Sequence, residues 1–193
     1  MKIIGITGPS GAGKTCVLEY LRTKGLRVIC ADEVYHRLLD NCAPMRERIK
    51  ERFHTLDTKA LGRLAFENEK VLRELEDITH PYVIDEIRPM LKNKDGGNTI
   101  IEAIALRESG LDGLCDAVIY VTADYDRLVD RITTRDGITR EYAEARIKSR
   151  RFNTDNTYVL ENNGDLLSLY ARTDVIYADI SGEDAGGNYI KTI

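Results

Sequence analysis

The motif at residues 8–15 limits the possible folds of this chain more than any other feature. It reads Gly-Pro-Ser-Gly-Ala-Gly-Lys-Thr and matches the phosphate-binding pattern G-x-x-x-x-G-K-[ST]. The glycines let several backbone N–H groups point at one anion, and the helix that begins there adds its positive N-terminal end. In this pattern Lys14 reaches the β- and γ-phosphates, and the Thr15 hydroxyl binds Mg²⁺. The motif therefore predicts a nucleotide site between a strand and a helix.

The residues around the motif supply that strand and that helix. The β-branched run at 1–7 predicts a buried strand, and apolar residues at helical spacing over 14–24 predict a helix. A second strand is predicted over 26–30, and Asp32 lies just past its C-terminal end. We expect the motif and the residue after it to contact the nucleotide: Gly8, Ser10, Gly11, Ala12, Gly13, Lys14, Thr15 and Cys16.

Strands and helices alternate along the rest of the chain. Further strands are predicted over 99–104 and 117–122, and either 158–160 or 174–177 could supply another. Helices are predicted over 34–39, 44–53, 61–66 and 71–91, the last interrupted by Pro81, and a charged helical segment over 126–152. Such alternation predicts a three-layer α/β P-loop NTPase fold, with a parallel sheet of about five strands and helices on both faces.

The predicted elements form one domain over 1–193 with two helical additions. A block over 33–95 contains no convincing strand and is interpreted as a helical insertion at the C-terminal edge of the sheet. The segment over 125–155 is interpreted as a lid that closes over the reacting groups and excludes water. The glycine-rich stretch at 182–188 is expected to be a loose tail.

Composition narrows the class of partner and the compartment. The formal net charge is −4, which argues against a protein that coats a nucleic-acid polymer. There is no long hydrophobic stretch, so we expect no membrane span. The four cysteines lack C-x-x-C spacing, which argues against zinc and favours the reducing cytoplasm. We expect a small-molecule substrate and a monomer or weak homo-oligomer.

The absence of a guanine-reading motif favours a kinase over a GTP switch. No Asn-Lys-x-Asp tetrapeptide occurs, whereas the helical block and an arginine-rich segment suit a kinase with a small-molecule acceptor. Arg127, Arg131 and Arg135 recur at intervals of four and share one helical face. Asp32 could accept the proton of an acceptor hydroxyl or help to bind Mg²⁺, or it could cap the following helix.

Motifs spread over most of the chain resemble those of the dephospho-coenzyme A kinase family. Besides the phosphate motif, the resemblance is carried by Ala31-Asp32, Leu61-Gly62-Arg63-Leu64-Ala65-Phe66, Ile78-Thr79-His80-Pro81, Leu106-Arg107-Glu108, Arg135-Asp136-Gly137-Ile138-Thr139-Arg140-Glu141 and Glu161-Asn162-Asn163-Gly164. The His-Pro pair after a leucine-rich helix and the late Asn-Asn-Gly are far more specific than the phosphate motif.

The resemblance implies transfer of the γ-phosphate of ATP to the ribose 3′-hydroxyl of dephospho-coenzyme A, with Mg²⁺. In this family the helical insertion holds the acceptor, so the block over 33–95 is expected to do so here. Asp32 then matches the catalytic base, and Arg140 matches a lid arginine that neutralises phosphoryl charge. Among the arginines of the charged segment, Arg135 and Arg140 are the two that we expect at the nucleotide. Asn162, Asn163 and Gly164 fall where the family's loop near the adenine lies. Expected acceptor-binding residues are Asp32, Arg63, His80 and Glu108, although His80 could serve only in packing and Glu108 only as a surface carboxylate.

Two departures from the family pattern concern the acceptor. Cys30 stands where an acidic residue is usual, and Ile104-Ala105 lacks the proline expected before Glu108. Two alternatives therefore stay open. One is a nucleoside monophosphate kinase, which would bind its acceptor phosphate through arginines such as Arg37, Arg63 and Arg88 of the insertion. The other is an ATP-binding homologue with weakened catalysis.

Overall fold

A parallel sheet of five strands organises the molecule. The computed structural model describes residues 1–92, 97–149 and 152–182, with only the backbone at 66–67, so the predicted tail beyond 182 lies outside the described residues. The strands are β1 (Ile3–Thr7), β2 (Arg27–Cys30), β3 (Thr99–Glu102), β4 (Ala117–Thr122) and β5 (Tyr158–Glu161). Their order is β2-β3-β1-β4-β5, and every pairing is parallel. The predicted fold class is confirmed.

Helices connect these strands. They are α1 (Lys14–Thr23), α2 (Ala31–Asn41), α3 (Ala43–Phe53), α4 (Thr58–Glu67), α5 (Glu69–Lys92), α6 (Tyr125–Asp136), α7 (Arg140–Lys148) and α8 (Leu166–Ser181), with a 3₁₀ turn over Leu111–Leu114. Helices α2–α5 occupy the predicted insertion, and α6 and α7 the predicted lid, whose residues 150–151 lie outside the described part. Among the described residues, no helix is both long enough and apolar enough to span a membrane.

The structure corrects one local expectation, at Pro81, and excludes one alternative each at 174–177 and at Asp32. The strand candidate at 174–177 lies inside α8, because Asp165 caps that helix by accepting from the Ser168 N–H and because Leu169 and Thr173 pack one turn apart on its buried face. Pro81 does not interrupt α5, since buried residues continue on one face past the missing hydrogen bond. Asp32 is not a helix cap: α2 begins at Ala31, which places Asp32 inside its first turn.

Apolar side chains on the two faces of the sheet form separate cores. On one face, Ile4, Ile6 and Ile119 pack with residues of α1, α6 and α8. On the other face, Ile29 and Ile101 pack with residues of α2 and α5. Alternation of side chains along each strand produces this division, as expected for a sheet covered on both sides.

The packing brings the carboxyl ends of β1, β2 and β3 to one edge of the sheet. Glu102 at the end of β3 is in register with Ile6 of β1 and with Cys30 of β2. The motif at residues 8–15 follows β1, and α2 with Asp32 follows β2. In open parallel sheets, ligands bind outside this edge of the strands.

Candidate functional site

The phosphate loop, residues 8–15, adopts a conformation that only glycine accepts at several positions. Gly8, Gly11 and Gly13 have φ values of 143°, 80° and 93°. A Cβ atom on Gly8 would lie 2.0 Å from the carbonyl oxygen of Val121 on β4. The loop therefore passes so close to the neighbouring strand that a side chain cannot fit, and the predicted strand-loop-helix unit is present.

The N-terminus of α1 faces the loop without a side-chain cap. Gly13 occupies the cap position and provides no side-chain acceptor, so the first backbone N–H groups of α1 are not capped by a side chain and suit an anion. The Lys14 Nζ atom donates to the carbonyl oxygens of Gly8 (2.8 Å) and Pro9 (3.1 Å). Burial lowers the pKa of Lys14, and the nearby carboxylates of Glu102 and Asp32 oppose that shift. A nucleotide phosphate would offer this ammonium group a stronger acceptor.

A buried asparagine supports the loop from below. The Asn162 side chain is 8% exposed, and its Nδ2 donates to the Ala12 carbonyl oxygen at 2.9 Å. A Cβ atom on Gly13 would lie 2.2 Å from the same Nδ2. Asn163 binds Asp124 through both ends of its amide, at 2.8 and 2.9 Å. In this structure Asn162 stabilises the phosphate loop, and Asn163 stabilises the start of α6. The exposed Gly164 precedes α8.

The phosphate pocket is the cavity above this loop, and most of the predicted nucleotide-binding residues line it. These are Ser10, Gly11, Gly13, Lys14, Thr15, Cys16 and Arg135, whereas Gly8 and Ala12 are buried in the loop. Asp32 lines the same pocket. The structure thus brings the loop, Asp32 in the first turn of α2 and the predicted Arg135 to a single site.

Sequence reasoning missed Glu102, which also lines the phosphate pocket. Glu102 as a whole residue is only 9% exposed. Burial raises its pKa to about 7, as do Asp32 and Glu33, while Lys14 acts in the opposite direction. Burial, with Glu102 and Glu33, also raises the pKa of the adjacent Cys30 thiol to about 11, so this thiol stays protonated near neutral pH. The sequence signal that could have identified Glu102 is an acidic residue at the end of a mostly apolar strand.

The oxygen atoms at this edge fit a magnesium ion that is shared with a nucleotide. Thr15, Asp32 and Glu102 line the phosphate pocket, and hard oxygen donors are the ligands that Mg²⁺ prefers. A divalent cation would relieve the unfavourable burial of the Glu102 carboxylate. Among the described residues, no cluster of three acidic, histidine or cysteine side chains could hold a metal ion. Mg²⁺ typically takes only one or two carboxylates and completes its shell with phosphates and water.

The arginines of α6 and α7 differ in where they point. Arg131 donates to the carbonyl oxygens of Gly11 (3.3 Å) and Asn162 (2.9 Å), and Arg135 donates to the Ser10 hydroxyl at 3.3 Å. Arg131, Arg135 and Arg146 line the phosphate pocket. The predicted catalytic residue Arg140 is instead held by the carboxylates of Asp126, Asp130 and Glu144. From the sequence, Arg131 and Arg146 could not be distinguished as pocket residues from the other arginines of this segment, because all of these arginines have charged neighbours along the chain.

A second cavity of about 300 Å³ opens beside the phosphate pocket. We call it the apolar cavity, because its walls on α2, α4 and α5 include Tyr35, Leu61, Leu75 and Val83. The half-buried His80 lines both this cavity and a neighbouring charged groove that also contains the exposed Glu108. Arg63 is exposed on α4 and is not among the described residues that line either cavity. His80 and Glu108 are thus near each other, and Arg63 is not with them.

The raised pKa of Glu102 predicts how stability changes with pH. Because the folded-state pKa of about 7 exceeds the ordinary value of 4.5, the folded chain holds an extra proton between these values. The free energy of unfolding should therefore fall as pH rises through this window, by about 3 kcal/mol at most. Without nucleotide and with a chelator, Glu102→Gln should lose less stability than the parent between about pH 5 and about pH 8. Denaturant titrations measure this.

The matched control for this prediction is Glu19→Gln, which neutralises an exposed carboxylate on α1. It should keep the parent's dependence of unfolding free energy on pH. An equal dependence in the Glu102→Gln variant and the parent would contradict the assignment of the raised pKa to Glu102.

Comparisons with a family profile and with related sequences agree on one family. A family profile described as dephospho-CoA kinase matches residues 2–167. A dephospho-CoA kinase of Fusobacterium nucleatum is 33% identical, over 89% of this chain and 95% of that protein. One of Dehalococcoides mccartyi is 37% identical, over 84% and 89%. The crystal structure of a Thermus thermophilus protein superposes with a TM-score of 0.77 at 30% identity, covering 92% of this chain and 97% of the other.

Proposed function

The chain belongs to the dephospho-CoA kinase family, and from that premise we propose that Asp32 activates the ribose 3′-hydroxyl of dephospho-coenzyme A for attack on the γ-phosphate of ATP. The reaction is the final step of coenzyme A synthesis, and the enzyme is a phosphotransferase with an alcohol acceptor. ATP is the phosphoryl donor, and Mg²⁺ is proposed as its companion ion.

The position of Asp32 between two cavities is the observation that carries this proposal. Asp32, Ser10, Ile104 and Arg146 line both the phosphate pocket and the apolar cavity. A donor phosphate in one cavity and an acceptor hydroxyl in the other would meet beside these residues. Among the four, Asp32 alone carries a carboxylate, so it is the group that can take the hydroxyl proton.

The proposed mechanism relies on positioning and electrostatics. Asp32 accepts the proton of the 3′-hydroxyl group while the hydroxyl oxygen forms a bond to the γ-phosphorus. The bond between the γ-phosphorus and the oxygen that bridges it to the β-phosphate breaks, which releases ADP. Lys14 and the lid arginines that face the phosphate pocket stabilise negative charge on the transferring group. When bound through Thr15, Asp32 and Glu102, Mg²⁺ would neutralise phosphate charge. Closure of α6 and α7 excludes water, which limits ATP hydrolysis.

The apolar cavity favours this acceptor over a nucleoside monophosphate. A phosphate acceptor needs arginines, yet Arg146 is the only arginine among the described residues that line the cavity. Arg37 pairs with Glu86 at 3.0 Å, and Arg63 and Arg88 are exposed. A cavity wall built from Leu61, Leu75 and similar side chains would instead hold an uncharged part of the acceptor. The four free cysteines support a reducing, cytoplasmic setting for the reaction.

Turnover with a panel of acceptors tests the proposed function. Release of ADP from Mg²⁺-ATP should be fast with dephospho-coenzyme A and at background level with AMP, CMP, UMP and dTMP. Mass spectrometry and phosphorus NMR should find one added phosphate on the ribose 3′-oxygen. Activity only with a nucleoside monophosphate would instead identify the protein as a nucleoside monophosphate kinase. ATP binding without turnover on any acceptor would identify a homologue that has lost catalysis.

A further inference from the structure

Two arginines from different lid helices meet at the phosphate pocket. Arg135 lies in the last turn of α6 and Arg146 in the last turn of α7, and both line the pocket. Their charges both act to lower the pKa of Lys14, so they are close enough to the loop lysine to repel it. Three cations that share one pocket repel one another in the absence of an anion. The pocket also contains the carboxylates of Asp32 and Glu102, which offset part of this repulsion, and a carboxylate that bonds both arginines would hold them together.

The carboxylate of Asp136 joins the two arginines. Its Oδ1 accepts from Arg135 Nε at 2.6 Å, and its Oδ2 accepts from Arg135 Nη2 at 2.8 Å and from Arg146 Nη1 at 2.7 Å. Asp136 is the last residue of α6, and Gly137 follows it with a φ of 63°. This left-handed turn reverses the chain, so that the end of α7 returns to Asp136. The side chain of Asp136 is about a quarter exposed, at 24%.

We propose that Asp136 is a positioning residue that holds Arg135 and Arg146 at the phosphate pocket so that both can bind the β- and γ-phosphates of ATP. The inference rests on the proposed function only in taking ATP as the nucleotide. Asp136 itself is not among the residues that line the pocket, and it acts through the arginines. Asp136 binds Arg135 through Nε and one terminal nitrogen, Nη2. The other terminal nitrogen of Arg135 is not bonded to this carboxylate.

The geometry distinguishes this arrangement from the other ion pairs of the lid. Arg140 also contacts several carboxylates, but its guanidinium does not line the phosphate pocket. Arg135, by contrast, donates to the Ser10 hydroxyl within the loop at 3.3 Å, so the group held by Asp136 already touches the nucleotide site. Opposed charges support the pairing, because the Arg135 guanidinium holds the pKa of Asp136 below its usual range.

Nucleotide titrations of Asp136→Asn test the inference without any acceptor. Asparagine keeps the shape of the side chain but loses its charge, so the two arginines should separate. We expect affinity for Mg²⁺-ATP to fall about tenfold, which corresponds to about 1.4 kcal/mol. Affinity for Mg²⁺-ADP should fall less, and affinity for adenosine should not change. Loss of a residue that served only the fold would weaken the binding of all three ligands alike. The informative result is therefore a loss of affinity that grows with the number of phosphates on the ligand.

Two further variants complete the test. Glu141→Gln removes the same charge from an exposed position on α7 and should leave all three affinities within about twofold of the parent. Asp136→Glu keeps the charge and should recover most of the ATP affinity, and it serves as the folded variant if Asp136→Asn does not fold. In that case, a parent-like ADP-to-ATP affinity ratio and parent-like adenosine binding in Asp136→Glu agree with the inference.

An Asp136→Asn variant that binds ATP as tightly as the parent would overturn the inference. So would an equal loss for adenosine and ATP, in this variant or in Asp136→Glu. The outcome is independent of the proposed acceptor, because no transfer occurs in these titrations. If the parent fails to phosphorylate dephospho-coenzyme A while the phosphate-dependent loss is observed, the proposed function fails and the role of Asp136 stands.

Discussion

Turnover of the Asp32→Asn variant should be lower than that of the parent by roughly 10²- to 10⁴-fold, the usual contribution of a general base. Asp32 lines both the phosphate pocket and the apolar cavity, so under the proposed function its carboxylate would lie between the donor and the acceptor. Asparagine is nearly isosteric but cannot accept the hydroxyl proton. Affinity for ATP measured without Mg²⁺ should change little, because Lys14 and the loop remain in place.

Steady-state kinetics with dephospho-coenzyme A and calorimetric ATP titration measure the two effects separately. The control is Asp40→Asn, which removes the same charge from an exposed residue in the last turn of α2. It should retain parental turnover. If Asp32→Asn keeps near-normal turnover while it binds ATP normally, the proposed base is wrong.

The second large effect is expected for Lys14→Ala, which should reduce turnover by roughly 10²- to 10³-fold or more, the range observed when one preorganised charge-stabilising group is removed. In the structure the ammonium group already lies within the loop, at 2.8 Å from the Gly8 carbonyl oxygen. A triphosphate bound in the loop would place its β- and γ-phosphates near this ammonium group in both the bound state and the transition state. ATP affinity should fall as well, because a buried positive charge next to the triphosphate is lost.

Fluorescence titration with a labelled ATP analogue and turnover assays test this prediction together. Lys50→Ala removes a lysine from the exposed surface of α3 and should behave as the parent in both assays. Circular dichroism should show that both variants are folded. Equal ATP affinity in Lys14→Ala and the parent would contradict the assigned role of the lysine.

The fold and the loop were largely predictable because their signals are local. Gly8, Gly11 and Gly13 dictate the backbone of the loop through their own φ values, and no distant residue is needed to recognise that pattern. The strand predicted over 117–122 matches β4 residue for residue. The choice between 158–160 and 174–177 was not local, since both are apolar segments, and the cap at Asp165 and the packing of α8 decided it.

The orientation of the lid arginines could not be read from their spacing. Arg131 and Arg135 do share one face of α6 as predicted and both reach the loop. Arg140 and Arg146 lie on the same short helix α7, yet only Arg146 lines the phosphate pocket. The left-handed turn at Gly137 sets the direction of α7. An exposed ion pair contributes little free energy, so no strong sequence pattern identifies which residues form it.

The sequence by itself therefore determined the phosphate loop, the alternating α/β architecture and the resemblance to one kinase family, because contiguous residues encode each of these. Tertiary structure alone decided that Glu102 is buried against Lys14, that Asp32 borders two cavities, and that Asp136 joins two arginines. The physical reason is that burial and charge pairing depend on residues far apart in the chain. Their side chains meet only when the strands align and the lid helices fold back over the loop.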